Sequence, residues 1–141
     1  MRKPLYEHAL SKYGISSISF SQKDPLRVLV NMMDSQIHFV DLQQGTYQKT
    51  FRDYTHTGNM SSQVSFSPKE EMLMVPTAVG SLAIFETEDS QLLCQIDIPG
   101  IEASKNPETG LSVIKICDFE WHAKTCRLVA IDNHGQMCIW I

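Results

Sequence analysis

Gln63–Glu86, QVSFSPKEEMLMVPTAVGSLAIFE, reads as three short strands joined by two turns. Val64 and Phe66 alternate with polar neighbours, and Ser67-Pro68-Lys69-Glu70-Glu71 is a polar turn. Met72 to Val75 is an unbroken apolar run, Val79-Gly80-Ser81 turns the chain, and Leu82 to Phe85 is a second apolar run. Short runs of this kind between Gly, Pro and Ser punctuation are an all-β signal.

The stretch occurs three times. The first copy is Ser17–Asp41, SISFSQKDPLRVLVNMMDSQIHFVD, and the third is Asp118–Ile141, DFEWHAKTCRLVAIDNHGQMCIWI. Aligning Phe20, Phe66 and Trp121 brings Val40, Phe85 and Trp140 into register. A repeat of about 40–45 residues with four strands per unit is the period of a propeller blade. The central runs Val28-Leu29-Val30, Met72 to Val75 and Leu128 to Ile131 are apolar at consecutive positions, so both faces of each sheet require cover. Blades stacked face to face supply that cover.

In these features the chain resembles the WD-repeat family. Asp34 to Asp41 is similar to the family's Asp-Gly-x-x-x-x-Trp-Asp ending, and Val79 to Glu86 and His134 to Ile141 match it position by position. Where the family often has Gly-His, twelve residues before each aligned aromatic, this chain has Glu7-His8, Asp53-Tyr54 and Glu108-Thr109. The resemblance covers nearly the whole chain and implies an all-β fold of about three four-stranded antiparallel blades. It also implies a structural network of the Gly-His histidine, a strand hydroxyl, the turn Asp and the Trp. Only the first unit keeps two members, His8 and Asp34, which makes them structural residues rather than a catalytic dyad. Phe20, Phe66, Trp121 and Trp140 are the other structural candidates. The repeats are degenerate and are expected to be held by packing.

Read in order, Pro4–His8 is the outer strand of a preceding or closing blade. Residues 15–52 are blade 1, 62–98 blade 2, and 113–141 blade 3 without its outer strand. An insertion at 99–112, PGIEASKNPETGLS, lengthens the aromatic spacing from 46 to 55 residues. It is the one region the repeat does not explain. Loops held by a rigid scaffold often bind, so Ile101, Glu102, Lys105, Glu108 and Leu111 are the candidate partner-binding residues.

Composition narrows the function. Hydrophobic content of 43% and charged content of 20% are globular values. Residues 1–58 carry seven Lys/Arg against five Asp/Glu, and residues 59–141 five against eleven, which gives +2 and −6. An acidic surface disfavours nucleic acid as a direct ligand. No apolar run approaches the roughly 20 residues of a membrane span, and no apolar segment follows the basic Met1-Arg2-Lys3-Pro4 as a signal peptide requires. Cys94, Cys117, Cys126 and Cys138 form no framework spacing, which favours a reducing compartment, cytoplasm or nucleus.

Cys117, His122, Cys126, His134 and Cys138 fall within 22 residues, but their spacing is unlike a zinc finger or ribbon. Cys117 is expected on the face of Phe119 and Trp121, as a buried free thiol. No metal, cofactor or catalytic residue is therefore assigned. There is no nucleophile elbow, no phosphate-cradling Gly loop and no H-E-x-x-H.

The expected function is a noncatalytic scaffold that mediates protein–protein interactions in a multiprotein complex, as the family resemblance implies. The alternative is a chromatin- or replication-associated adaptor that recognises histone or nucleic acid. Three blades fall short of the typical four to eight of a closed ring. The chain is therefore expected not to be a compact closed monomer. Either it is part of a longer propeller, the preferred reading, or it takes further blades in trans, with a six-bladed homodimer as the specific form.

Overall fold

Three runs of alternating or fully apolar residues per repeat, with Gly, Asp, Asn and Ser at the turns, become three antiparallel sheets. The computed structural model describes residues 12–58, 62–125 and 127–140. The first sheet contains β1 (Ile15–Phe20), β2 (Arg27–Met32), β3 (Gln36–Asp41) and β4 (Thr46–Phe51), in that order. The second contains β5 (Ser65–Phe66), β6 (Met72–Pro76), β7 (Ser81–Glu86) and β8 (Leu92–Asp97). The third contains β9 (Ile116–Trp121), β10 (Leu128–Asp132) and β11 (Met137–Trp140). Each is a propeller blade. The Pro4–His8 strand, with His8, lies outside the described residues.

Two cores lie between the blades. Leu29, Ile37, Phe39 and Phe51 of blade 1 pack on Val64, Leu73, Val75, Ala83 and Phe85 of blade 2. Their rings form one aromatic cluster. Phe51 meets Phe39 edge-on at 5.6 Å and Phe85 at 5.9 Å, and Phe39 stacks on Phe66 at 5.6 Å. The second core joins Met74, Leu82, Ile84 and Ile98 of blade 2 to Phe119, Leu128 and Ala130 of blade 3, with Trp121 and Trp140 at its margin.

The register explains this alternation. In β2, Leu29 lies opposite Phe39 and faces blade 2, whereas Val28 lies opposite Val40 and faces away from it. In β6 and β7, Leu73 and Phe85 are paired and face blade 1, whereas Met74 and Ile84 are paired and face blade 3. Each blade thus has a leading face toward the blade before it and a trailing face toward the blade after it.

The aligned aromatics all belong to leading faces. Phe66 packs toward blade 1 and Trp121 toward blade 2. Phe20, paired with Val28, points to the same side of its own sheet, where no blade is described, and is 54% exposed. Its expected core role is corrected accordingly: the position is a core position only where a preceding blade covers it. Cys117 is likewise exposed rather than buried beside Phe119. The pairing shifts between Ile131 and Asp132, opposite Asp118 and Ile116, and Cys117 falls in the step.

Polar clamps fix the angle between blades 1 and 2. Glu70 takes a left-handed φ of 57° in the β5–β6 turn, and its carboxylate accepts from Ser21 Oγ at 2.7 Å and from the Gln22 N–H. Ser17 Oγ accepts from the Val64 N–H at 3.1 Å. Asn31 is fully buried; its side chain accepts from Tyr54 Oη at 2.7 Å and donates to the Ser62 carbonyl at 3.2 Å. A buried amide satisfied on both sides costs little and specifies one register.

Replacing Phe51 with Ala should lower stability by about 3–5 kcal/mol, because it leaves a cavity where three rings meet. Leu93→Ala, on an exposed position of β8, should stay within about 0.5 kcal/mol. Equal losses for the two variants in chemical denaturation would refute this assignment of the core.

Candidate functional site

The connections of antiparallel blades emerge on two opposite rims. One rim carries the turns at 33–35, 77–80 and 133–136, the loop 52–64 and the insertion 99–112. The insertion is a folded excursion rather than an open loop. After β8 the chain turns at Gly100, which has φ 82°, into a single helical turn α1 (Ile101–Ser104). Lys105 then bridges Ser112 to close the base, and Ser112 N–H donates to the Ala78 carbonyl at 3.2 Å. Asn106 Oδ1 accepts from the Glu108 and Thr109 N–H groups at 2.8 and 3.2 Å and shapes the tip.

Ile101 anchors this excursion. It is 2% exposed and packs in the core between blades 2 and 3, so its expected role as a partner-binding residue is corrected to that of an anchor. The contact depends on Gly80. A Cβ there would sit 2.1 Å from Ile101 Cδ1 and 2.7 Å from the Ile114 carbonyl oxygen, and the residue has φ 82°. The Ser104 and Ser112 hydroxyls meet at 2.6 Å across the base.

The tip is open. Glu108 and Leu111 are exposed, and the Glu102 side chain is 77% exposed. Lys105 forms an ion pair with Glu102, which raises its pKa. The four surface candidates therefore share one pinned loop. The sequence signal for its location was the departure from the repeat period; nothing in the sequence marked Ile101 as the anchor.

On the same rim, His56 joins blade 1 to the loop. Its N–H donates to Ser35 Oγ at 2.9 Å, and its Nδ1 accepts from the Gly58 N–H at 3.0 Å. With Nδ1 so occupied, Nε2 carries the proton and donates to Ser16 Oγ at 3.0 Å, while that hydroxyl donates to the Asn31 carbonyl at 3.2 Å. Burial lowers the His56 pKa, against a raising effect of Asp34. Asp34 Oδ1 is itself buried and meets no donor among the described residues. Whether His8 reaches it lies outside the described residues. Around His38, Tyr47 stacks at 4.0 Å and Thr50 Oγ1 lies 2.8 Å from Nδ1; burial lowers this pKa as well.

The opposite rim is acidic. A groove of about 370 Å³ is lined by Glu70, Glu71, Glu86 and Glu88, together with Lys23, Met72 and Leu93. Glu70 is committed to the clamp on Ser21 and Gln22, and Glu88 lies 3.8 Å from Lys49. Among the described residues no group of three or more His, Cys, Asp or Glu side chains is arranged for a metal ion. His122 instead caps its own turn, 2.9 Å from Thr125 Oγ1. Among the described residues no helix is long and apolar enough to cross a membrane.

Comparison with known proteins supports the fold. No protein-family model and no curated protein sequence matches the chain. Among solved structures, it is similar to the WD40 β-propeller domain of Doa1, with a TM-score of 0.65 and 14% identity. The match covers 89% of this chain and 36% of that one, so the chain spans about a third of the matched structure's length. The three sheets are WD40-like propeller blades.

Two outcomes follow. Gly80→Ala should cost about 2 kcal/mol or more, from left-handed strain together with displacement of Ile101; a melting temperature equal to that of the parent would exclude the anchor. Stability should also fall on acidification from pH 7. A depressed histidine pKa leaves the folded state with fewer protons than the unfolded state, so stability is complete above the unfolded value of about 6.5 and declines below it. His56→Gln should flatten this decline, which denaturation midpoints measured between pH 7.5 and 5 would show.

Proposed function

We propose that the chain is a noncatalytic scaffold that mediates protein–protein interactions within a multiprotein complex, with the tip of the insertion as its recognition element. The carrying observation is the construction of that loop. Ile101, Ser104 and Ser112 hold its base, while Glu102, Glu108 and Leu111 stand outside the repeat at the surface, with Lys105 half-buried beside Glu102. A rigid base lowers the ordering entropy that a flexible loop loses on binding. Leu111 supplies an apolar contact and the two glutamates a charged rim, the composition of a small recognition patch.

The acidic groove on the opposite rim favours a second reading, a chromatin-associated adaptor for a basic histone segment. Nucleic acid suits it poorly, because four glutamates face the groove. Two of them already have partners in the fold, and the insertion reading is preferred on that account. Cytoplasm or nucleus is the proposed location for either reading.

The test is site-specific photo-crosslinking in cells. A crosslinker at Leu111 should yield a discrete, stoichiometric protein adduct, whereas one at Leu93 should not. Glu108→Lys in the chain that carries the Leu111 crosslinker should abolish the adduct at unchanged thermal stability, within about 0.5 kcal/mol. Adducts only from positions in the acidic groove, on histones, would favour the second reading and remove the insertion from the site.

A further inference from the structure

The end of the insertion presents an apolar pair that the fold leaves uncovered. Ser112 is buried at the base, where its N–H donates to the Ala78 carbonyl at 3.2 Å. Leu111 and Val113, on either side of it, turn outward and are 44% and 64% exposed. The pair sits between blades 2 and 3 and is held there. The Val113 N–H donates to the Ser104 carbonyl at 3.3 Å, and Asn133 Nδ2, in the β10–β11 turn, donates to the Val113 carbonyl at 3.0 Å. This is a fixed surface at an internal junction, with the blades on both sides of it in place.

Its backbone has little to offer an added strand. The Leu111 N–H donates to Thr109 Oγ1 at 3.3 Å, and the Leu111 carbonyl accepts from the Asn106 N–H at 2.8 Å. The Val113 groups are engaged as described. A partner that adds a strand needs free backbone groups along an edge, so recognition here passes through side chains. Residues two apart on an extended segment are separated by about 6.5 Å. Side chains one turn apart on a helix are separated by about 5–6 Å, so one apolar stripe of a helix covers both.

Charge sets the rest of the complement. Asp97, Glu102 and Glu108 are exposed around the insertion, and its cation, Lys105, is already paired with Glu102. Glu102 first and then Asp97 raise the Lys105 pKa, so Asp97 acts on the same site. Beyond Val113 the sign reverses at the exposed Lys115.

We infer that Leu111 and Val113 together dock one amphipathic helix of a partner protein, apolar at positions i and i+3 or i+4, with Lys or Arg over the insertion. The inference rests on the insertion as the recognition element and names the chemistry it recognises. The apolar pair supplies the contact, and the charges set the direction of the helix: its basic end lies over Glu102 and Glu108, its neutral or acidic end toward Lys115.

Selection of random peptides of about 16 residues, some four helical turns, displayed on phage against the immobilised chain tests this. Enriched peptides should share an apolar pair three or four residues apart beside Lys or Arg. Val113→Asp should weaken their binding at least about 10-fold, because it sets an unpaired charge against apolar surface. The gentler Val113→Ser should weaken it in the same direction, and Glu102→Gln with Glu108→Gln should flatten its salt dependence. Circular dichroism should show every variant folded, since none of these side chains is buried. In cells, a photo-crosslinker at Val113 should give the same intermolecular adduct as one at Leu111. No enrichment, enriched peptides that are acidic or lack the helical spacing, or binding indifferent to Val113 would overturn the inference. So would a crosslink from Val113 that stays within the polypeptide. A Leu111 adduct that Val113→Asp leaves unchanged would refute this inference alone and leave the scaffold reading standing; no adduct from either position would refute both.

Discussion

The structure depends on one constraint: the central strands of every sheet are apolar on both faces. Leu29 and Val28, Met74 and Leu73, Leu128 and Val129 are neighbours in sequence that point to opposite sides. A sheet of this kind has no face suited to water, so each gains stability from a neighbour packed against it. The aromatic cluster of Phe39, Phe51, Phe66 and Phe85 is the consequence in blades 1 and 2. The specific polar groups are secondary to it. Asn31, Tyr54 and the Glu70 clamp select the angle and register of a contact that apolar burial drives.

The degenerate repeats follow from the same constraint. Val40, Phe85 and Trp140 hold one position with three different volumes, and neighbours adjust around them. A leading face needs an apolar side chain of suitable size there, not a particular hydrogen bond. The burial of Phe85 and the packing of Trp140 at the margin of its core show two solutions, and the groove over Val40 shows a third. The rims are where connections can vary without disturbing the stack. The insertion does so while placing Ile101 under Gly80, so that its tip inherits the rigidity of blades 2 and 3.

The amino-acid sequence by itself determined the blades. Strand positions, turns and the three-fold repeat are local properties, set by alternation, apolar runs and Gly, Pro and Ser punctuation over short distances. It also located the insertion, because a break in period is visible without coordinates. Which side of a sheet would be covered was not legible, since alternation separates two faces without saying what lies beyond either. Phe20 and Phe66 occupy the same register and read alike; only the presence of blade 1 beside blade 2 covers the second while the first stays exposed. Ile101 looked like a surface apolar residue in a polar loop, and its burial depends on a cleft between Gly80 and Ile114 that the folded chain alone creates. Cys117 became exposed through a shift in strand pairing that no residue type announces. Periodicity acts within a strand, whereas burial is decided by what packs against it from a distant part of the chain.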